Sequence, residues 1–387
     1  MSETSATAPR GSAEKPAEKP TKTPHGHGSR RRWRRRLLLL AAATGFAVLL
    51  AEVALRVARS LLNPPIYTLD AQLGWRAAAS LDRGLANEAG QTVRIVSDAA
   101  GHRIGLADAS AAATQPQGGV LFLGDSFTHG TEVAFEELFT TRIHRTLPET
   151  SCTNAGVGGY STVQEALALE AQLALCRPQL VVLAVYENDL VDNLMPYFSG
   201  LGPRPHVRLT PGPDGNPAVE LVRELATESF TRFLQPAPGA WWLYRHCALY
   251  QSVHKNLFLP RRGSELAATE ARERAAVPMA GQLLAMRWAL QRMQQATSAA
   301  TPAPAKATKL VVFMIPTREM AAGEAAPSHA AMASICADLK LPFLSLLEPM
   351  RTSGGADNYF ATDIHCNAAG HRLIAAELLP FVQRHLR

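Results

Sequence analysis

Two stretches of this chain are apolar at every position rather than at alternate ones. They are "VLFL" at 120–123, which runs into "GDSFTHG", and "LVVLAV" at 180–185, which runs into "YEND". A short run with no polar face is the mark of a strand covered on both sides. The neighbouring segments supply the covers. Residues 132–147 read as an amphipathic helix, "SCTNAGVGGY" as a short strand and glycine-rich turn, and 161–175 as a helix. A long helix at 270–297, a strand "KLVVFMIPT" at 309–317, another helix, "LPFLSLL" and a terminal helix continue the rhythm. Alternating strands and helices imply right-handed crossovers and a parallel sheet. The expected fold is α/β: a three-layer sandwich with a mostly parallel sheet between two helix layers.

The N-terminal part has a different character. Of the 39 Lys+Arg and 33 Asp+Glu in the chain, 10 and 3 fall within residues 1–36, leaving 29 against 30. The basic excess therefore belongs to the tail, and nothing calls for a nucleic-acid partner. Residues 1–29 are rich in Pro, Ala, Lys and Ser and are expected to be disordered, with His25 and His27 of "HGHG" in a solvated tract. The expected organisation begins with a disordered basic cytoplasmic tail at 1–36 and a transmembrane anchor at 37–58. The nineteen residues 37–55, "LLLLAAATGFAVLLAEVAL", make about 28 Å of helix, near the ~30 Å hydrocarbon thickness. The six arginines of "RRRWRRR" on the amino side assign that side to the cytoplasm. No small-x-small cleavage site follows. The expectation is a single-pass anchor in the cell inner membrane, with the remainder of the chain extracytoplasmic. Residues 60–117 read as a linker and small cap. The main domain spans 118–387, with an aromatic-rich insertion at about 191–308.

Five cysteines, at 152, 176, 247, 336 and 366, lack paired C-x-x-C spacing, so no zinc site is expected. An oxidising compartment permits a disulfide, and Cys152 with Cys176 is the most plausible pair.

Polar residues fall at strand ends, where α/β sheets bind ligands. Ser126 follows the first strand, Gly159 lies in the turn after the second, and Asn188 follows the third. Asp363 and His365 precede the last helix. Ser126 is either a helix cap or a nucleophile. As a nucleophile it needs a base, the base needs an orienting partner, and a tetrahedral oxyanion needs fixed donors. His365 and Asp363 suit the first two needs; the N–H groups of Ser126 and Gly159 and the Asn188 amide suit the third. Asp125 reads as a turn residue, and His371 and His385 as surface-helix residues. "GDSFT" lacks the second glycine of a G-x-S-x-G elbow, "GVGGYS" does not satisfy G-x-G-x-x-G, and no P-loop lysine is present. No cofactor and no metal are expected.

Taken together, "GDSFT" (124–128), "NAGVGG" (154–159), "YEND" (186–189) and "DIHCNAAG" (363–370) resemble, in order, the four motif blocks of the SGNH/GDSL hydrolase family. "AEVALR" and "SDAAGHRIG" look like the family's membrane-tethered bacterial members. The resemblance implies a flavodoxin-like sheet and a serine esterase that cleaves acyl, especially short-chain or acetyl, esters through an acyl-enzyme. The ester substrate would be an acylated carbohydrate or lipid. Two departures stand out. Tyr186 replaces the glycine usual in the asparagine block, and one residue, Ile364, separates acid from histidine where two are usual. The shorter spacing also occurs in related polysaccharide O-acetyltransferases, which leaves an O-acetyltransferase of an envelope or exported polysaccharide as an alternative. A non-catalytic glycan-binding module is the alternative of another class.

Overall fold

A computed structural model describes residues 27–108, 117–198, 200–212, 216–225, 239–299 and 307–386. The expected disorder of residues 1–26, His25 included, lies outside these. The chain divides into two units, Met1–Ala54 and Leu55–Arg387. Helix α1 (His27–Leu62) accounts for the described part of the first. Its stretch Arg30–Leu62 is long and apolar enough to cross a membrane, with Leu38 and Leu39 about 70% exposed. Residues 30–36, expected in the disordered tail, are helical instead. Arginine and leucine are both good helix formers, and no Gly or Pro separates the basic run from the apolar one.

The second unit is built on an eight-stranded sheet. Five strands are parallel: β6 (Val120–Leu123), β7 (Cys152–Asn154), β8 (Leu180–Val185), β13 (Lys309–Met314) and β14 (Phe343–Ser345). Their order across the sheet is β14-β13-β8-β6-β7, the flavodoxin-like arrangement, with its switch point between β6 and β8. Every residue of β6 and β8 is buried. Along β6, Val120 and Phe122 join the core on one face and Leu121 and Leu123 the core on the other, as the strand period of two requires.

Helices close both faces. Phe139 and Ile143 of α3 (Phe139–Thr146) lie in the first core, with Ile374 and Leu378 of the terminal helix Ala368–Leu386. On the other face are Leu169 and Leu173 of α4 (Thr162–Cys176), Met286 and Leu290 of the helix Met279–Ala299, and Met332 of Pro327–Asp338.

Several expectations need correction. The described residues of 60–117 do not form a separate cap. After the hairpin of β1 (Tyr67–Asp70) and β2 (Gly74–Ala77), the strands β3 (Asp82–Ala86), β4 (Thr92–Ser97) and β5 (Arg103–Ile104) extend the main sheet antiparallel beyond β7. The proposed insertion at 191–308 does include two small hairpins, β9 (Tyr197–Phe198) with β10 (Gly202–Pro203) and β11 (His206–Pro211) with β12 (Pro217–Val222). Its last helix, Met279–Ala299, is nonetheless an integral cover of the sheet. The single helix expected at 270–297 is two, Leu259–Ala275 and Met279–Ala299, because Pro278 lies between them. His371 is buried rather than on the surface, its ring stacked on Phe139 and its Nδ1 accepting the Phe139 N–H at 3.4 Å. Cys152 and Cys176 are free thiols. Cys152 packs against one core and Cys176 lies in the other, so the sheet stands between them.

Candidate active site

The turn after β6 explains the first motif. Gly124 has φ +154°, and a Cβ there would come within 2.2 Å of Thr128 Oγ1. Asp125 then caps the short helix α2 (Ser126–His129), its Oδ1 accepting the Phe127 N–H at 2.9 Å. The cap is therefore Asp125, and the Ser126 hydroxyl is left for other work. Burial pushes the Asp125 carboxyl up to about 6, against the hydrogen bond from Phe127. Ser126 is the first residue of the helix, so its N–H has no intrahelical acceptor.

Opposite stands the acid–histidine loop. His365 Nε2 is 2.7 Å from Ser126 Oγ, and His365 Nδ1 is 2.5 Å from Asp363 Oδ1. An Nδ1–H donating to Asp363 leaves Nε2 free to accept the serine proton. Asp363 Oδ1 also accepts the backbone N–H of His365 at 2.9 Å, which closes the two-residue spacing into a tight turn. Ile364 points away and is 56% exposed. The short spacing thus brings Asp363 and His365 together.

Two acids that sequence reasoning missed act on this loop. Glu132 Oε1 lies 3.7 Å from His365 Nδ1, on the side chain's acidic flank with Asp363. Glu88, beyond the end of β3, accepts the N–H groups of Thr362 (2.9 Å) and Asp363 (2.6 Å). Burial alone would lower the His365 pKa. The Asp363 hydrogen bond and the charges of Glu132, Asp363 and Asp125 outweigh it and raise it above the ordinary histidine value. Asp363 moves down, chiefly through its hydrogen bond to His365. Among the described residues, Glu132, Asp363 and His365 form the group whose ligating atoms lie close enough to hold a metal ion. The imidazole nitrogen in that group is already engaged by Asp363.

The glycine and asparagine blocks come to the same edge. Asn154 Nδ2 donates to Thr128 O at 2.7 Å and Val157 N donates to Gly124 O at 3.0 Å, which fastens the second turn onto the first. Gly159 follows with φ +75°, a left-handed conformation that favours glycine. Asn188 sits in the helix α5 (Glu187–Asp192), where Nδ2 donates to Asp192 Oδ2 at 2.9 Å. A hydrogen bond from Asn188 to Asp125 is among the causes lowering the latter's pKa. Tyr186 is buried, its ring stacked on Phe127 at 4.0 Å, and Phe127 lies 4.9 Å from the His365 ring. Ser126, His365 and Asp363 are thus brought together directly, Asn188 reaches Asp125 beside Ser126, and Gly159 lies two residues beyond the Val157–Gly124 bond.

No family model matches the chain, and no curated protein matches it. Solved structures do. A member of the lipolytic G-D-S-L family from Veillonella parvula is 12% identical, covering 69% of this chain and 99% of its own, with a TM-score of 0.34. The psychrotrophic esterase EstA from a Pseudoalteromonas species is 13% identical, with coverages of 69% and 97% and a TM-score of 0.36. A catalytic mutant of an acetylxylan esterase from Geobacillus stearothermophilus is 11% identical, with coverages of 70% and 96% and a TM-score of 0.37.

A local signal was available for Glu132, six residues after Ser126 in the same turn region. None was available for Glu88, whose partners lie more than 270 residues away.

Proposed function

We propose that this chain is an SGNH/GDSL-type serine esterase that cleaves short acyl esters through an acyl-enzyme. The observation that carries the reading is the unbroken relay Ser126 Oγ–His365 Nε2, His365 Nδ1–Asp363 Oδ1. In the first step His365 accepts the Ser126 proton as Oγ bonds to the ester carbonyl carbon. The carbonyl π electrons move onto oxygen. Collapse of the tetrahedral species expels the alkoxide, which takes the proton from His365 and leaves as the alcohol. Water, deprotonated by the same imidazole, then attacks the acyl-serine, and the acid is released with Ser126 reprotonated.

The oxyanion is held by the N–H groups of Ser126 and Gly159 and by Asn188, whose N–H turned toward Asp125 passes to the developing charge. The Tyr186–Phe127 stack beside the imidazole favours a small acyl group. The alcohol portion belongs to an acylated carbohydrate or lipid, and α1 anchors the enzyme with its amino side cytoplasmic and the site extracytoplasmic. The arginine run at its amino end supports that orientation.

The test is the time course of nitrophenol release from nitrophenyl acetate. An initial burst close to one equivalent, followed by slower turnover and absent in Ser126→Ala, is the expected result. Equal activity in folded Ser126→Ala would overturn the reading.

A further inference from the structure

Gly159 is gripped from both sides by residues outside the four motif blocks. The carbonyl of Gly158 accepts the indole Nε1–H of Trp75 at 3.0 Å. The carbonyl of Gly159 itself accepts from Arg204 Nη1 at 3.1 Å. In a planar trans peptide the C=O of one residue and the N–H of the next point in opposite directions. Fixing the Gly158 carbonyl on Trp75 therefore fixes where the Gly159 N–H points. Trp75 is in turn immobile: it is 1% exposed, edge-on to Tyr160, and its own carbonyl accepts the Tyr160 hydroxyl at 2.7 Å.

Arg204 extends the grip to the second donor. Its side chain has no exposed surface, Nε donates to Met195 O at 3.1 Å, and Nη2 lies 2.8 Å from Asp192 Oδ1. The other oxygen of Asp192 accepts from Asn188. One guanidinium thus joins the Gly159 peptide to the carboxylate that holds Asn188. A buried arginine is expensive to desolvate, and a planar fork meeting a carbonyl and a carboxylate together is a task a lysine does not duplicate.

We propose that Trp75 and Arg204 are positioning residues of the oxyanion hole: Trp75 aims the Gly159 N–H, and Arg204 sets the spacing between Gly159 and Asn188 through Asp192. This inference rests on the esterase reading. It assigns a task in transition-state stabilisation to β2 and to the segment following β10.

The experiment uses the full-length protein with nitrophenyl acetate, comparing wild type, Trp75→Phe, Arg204→Lys, Asn188→Ala and the double variant Arg204→Lys/Asn188→Ala. Trp75→Phe keeps an aromatic ring and removes the N–H donor together with the five-membered part of the indole. Trp75→Phe and Arg204→Lys are each expected to lower kcat by about 10- to 10²-fold, the scale of a displaced reacting group. KM should stay within about twofold and the acid limb of the pH profile should not move, because interactions made mainly in the transition state are affected. In the double variant the losses should combine to less than their product, since Arg204 acts partly through Asn188. If Arg204→Lys fails to fold, Trp75→Phe decides alone. Folded variants with wild-type kcat, or with the whole change in KM, overturn the inference while leaving the esterase reading intact, provided Ser126→Ala abolishes turnover. A wild-type protein that turns over no ester overturns both.

Discussion

The serine side and the histidine side of the site are built in opposite ways. Ser126, Gly159 and Asn188, each half-buried, follow strands β6, β7 and β8, and contacts through Asp192 and Arg204 link Asn188 to the Gly159 peptide. Asp363 and His365 stand on a surface loop, where Asp363 is 35% exposed and Ile364 faces solvent. That loop is held by Glu88, an exposed carboxylate that accepts backbone N–H groups. The difference teaches where precision is needed. Donors for a developing oxyanion must be fixed before the reaction, and hydrogen bonds to buried groups such as Trp75, Arg204 and Asp192 hold them here. The base must accept and return a proton, and its basicity is kept up by Asp363, Glu132 and Asp125, which together outweigh the effect of its burial.

The comparison can be broken most severely at the residues where the two sides meet. Ser126→Ala and His365→Ala should each reduce kcat by on the order of 10⁴ or more, and the double variant should lose little beyond that, because the groups act as a unit. Steady-state turnover of all three variants checks this, and multiplicative losses would contradict it.

Next in size is the serine side alone. Asn188→Ala removes one oxyanion donor and should cost on the order of 10²–10³ in kcat with little change in KM. A change confined to KM would contradict the assignment.

On the histidine side the effects should be graded. Asp363→Asn loses the carboxylate that selects the imidazole tautomer, yet Glu132 remains 3.7 Å from Nδ1. The loss should therefore be smaller than for His365→Ala, and Asp363→Asn/Glu132→Gln should restore the full deficit. Equal losses in the single and double variants would show that Glu132 does not contribute.

The smallest effect is a shift rather than a loss. The raised His365 pKa means that activity, which needs the neutral imidazole, should appear as pH rises through a value above the ordinary ~6.5 of histidine. Glu132→Gln removes a negative charge that favours the imidazolium, so the acid limb of kcat/KM should move to lower pH. A shift to higher pH would contradict the sign.

The parts of the fold readable in the sequence share a local cause. β6, β8 and the helices α3 and α4 carry their burial pattern within a few consecutive residues, and the four motif blocks sit at their ends. The remainder depends on contacts that no short window holds. β3–β5 are antiparallel strands with little apolar signal, and they belong to the sheet through pairing such as Arg103 with Asn154, 51 positions on. The cysteines lie on neighbouring elements, but Cys152 of β7 packs against one core while Cys176, at the end of helix α4, lies in the core across the sheet. Pro278 was a local signal for a helix break within 270–297. Trp75, Glu88 and Arg204 carried no such signal, because each is tied to its target by a few hydrogen bonds across the fold.

The central claim is that the buried strand end and the exposed loop together make Ser126 a nucleophile. Rapid-quench peptide mass spectrometry after mixing the full-length protein with nitrophenyl acetate tests it directly. An acetyl group should be found on the peptide carrying Ser126, accumulating during the burst, and it should be missing in His365→Ala. Turnover of the ester with Ser126 unmodified throughout, or acetylation of another residue at the burst rate, would contradict the account.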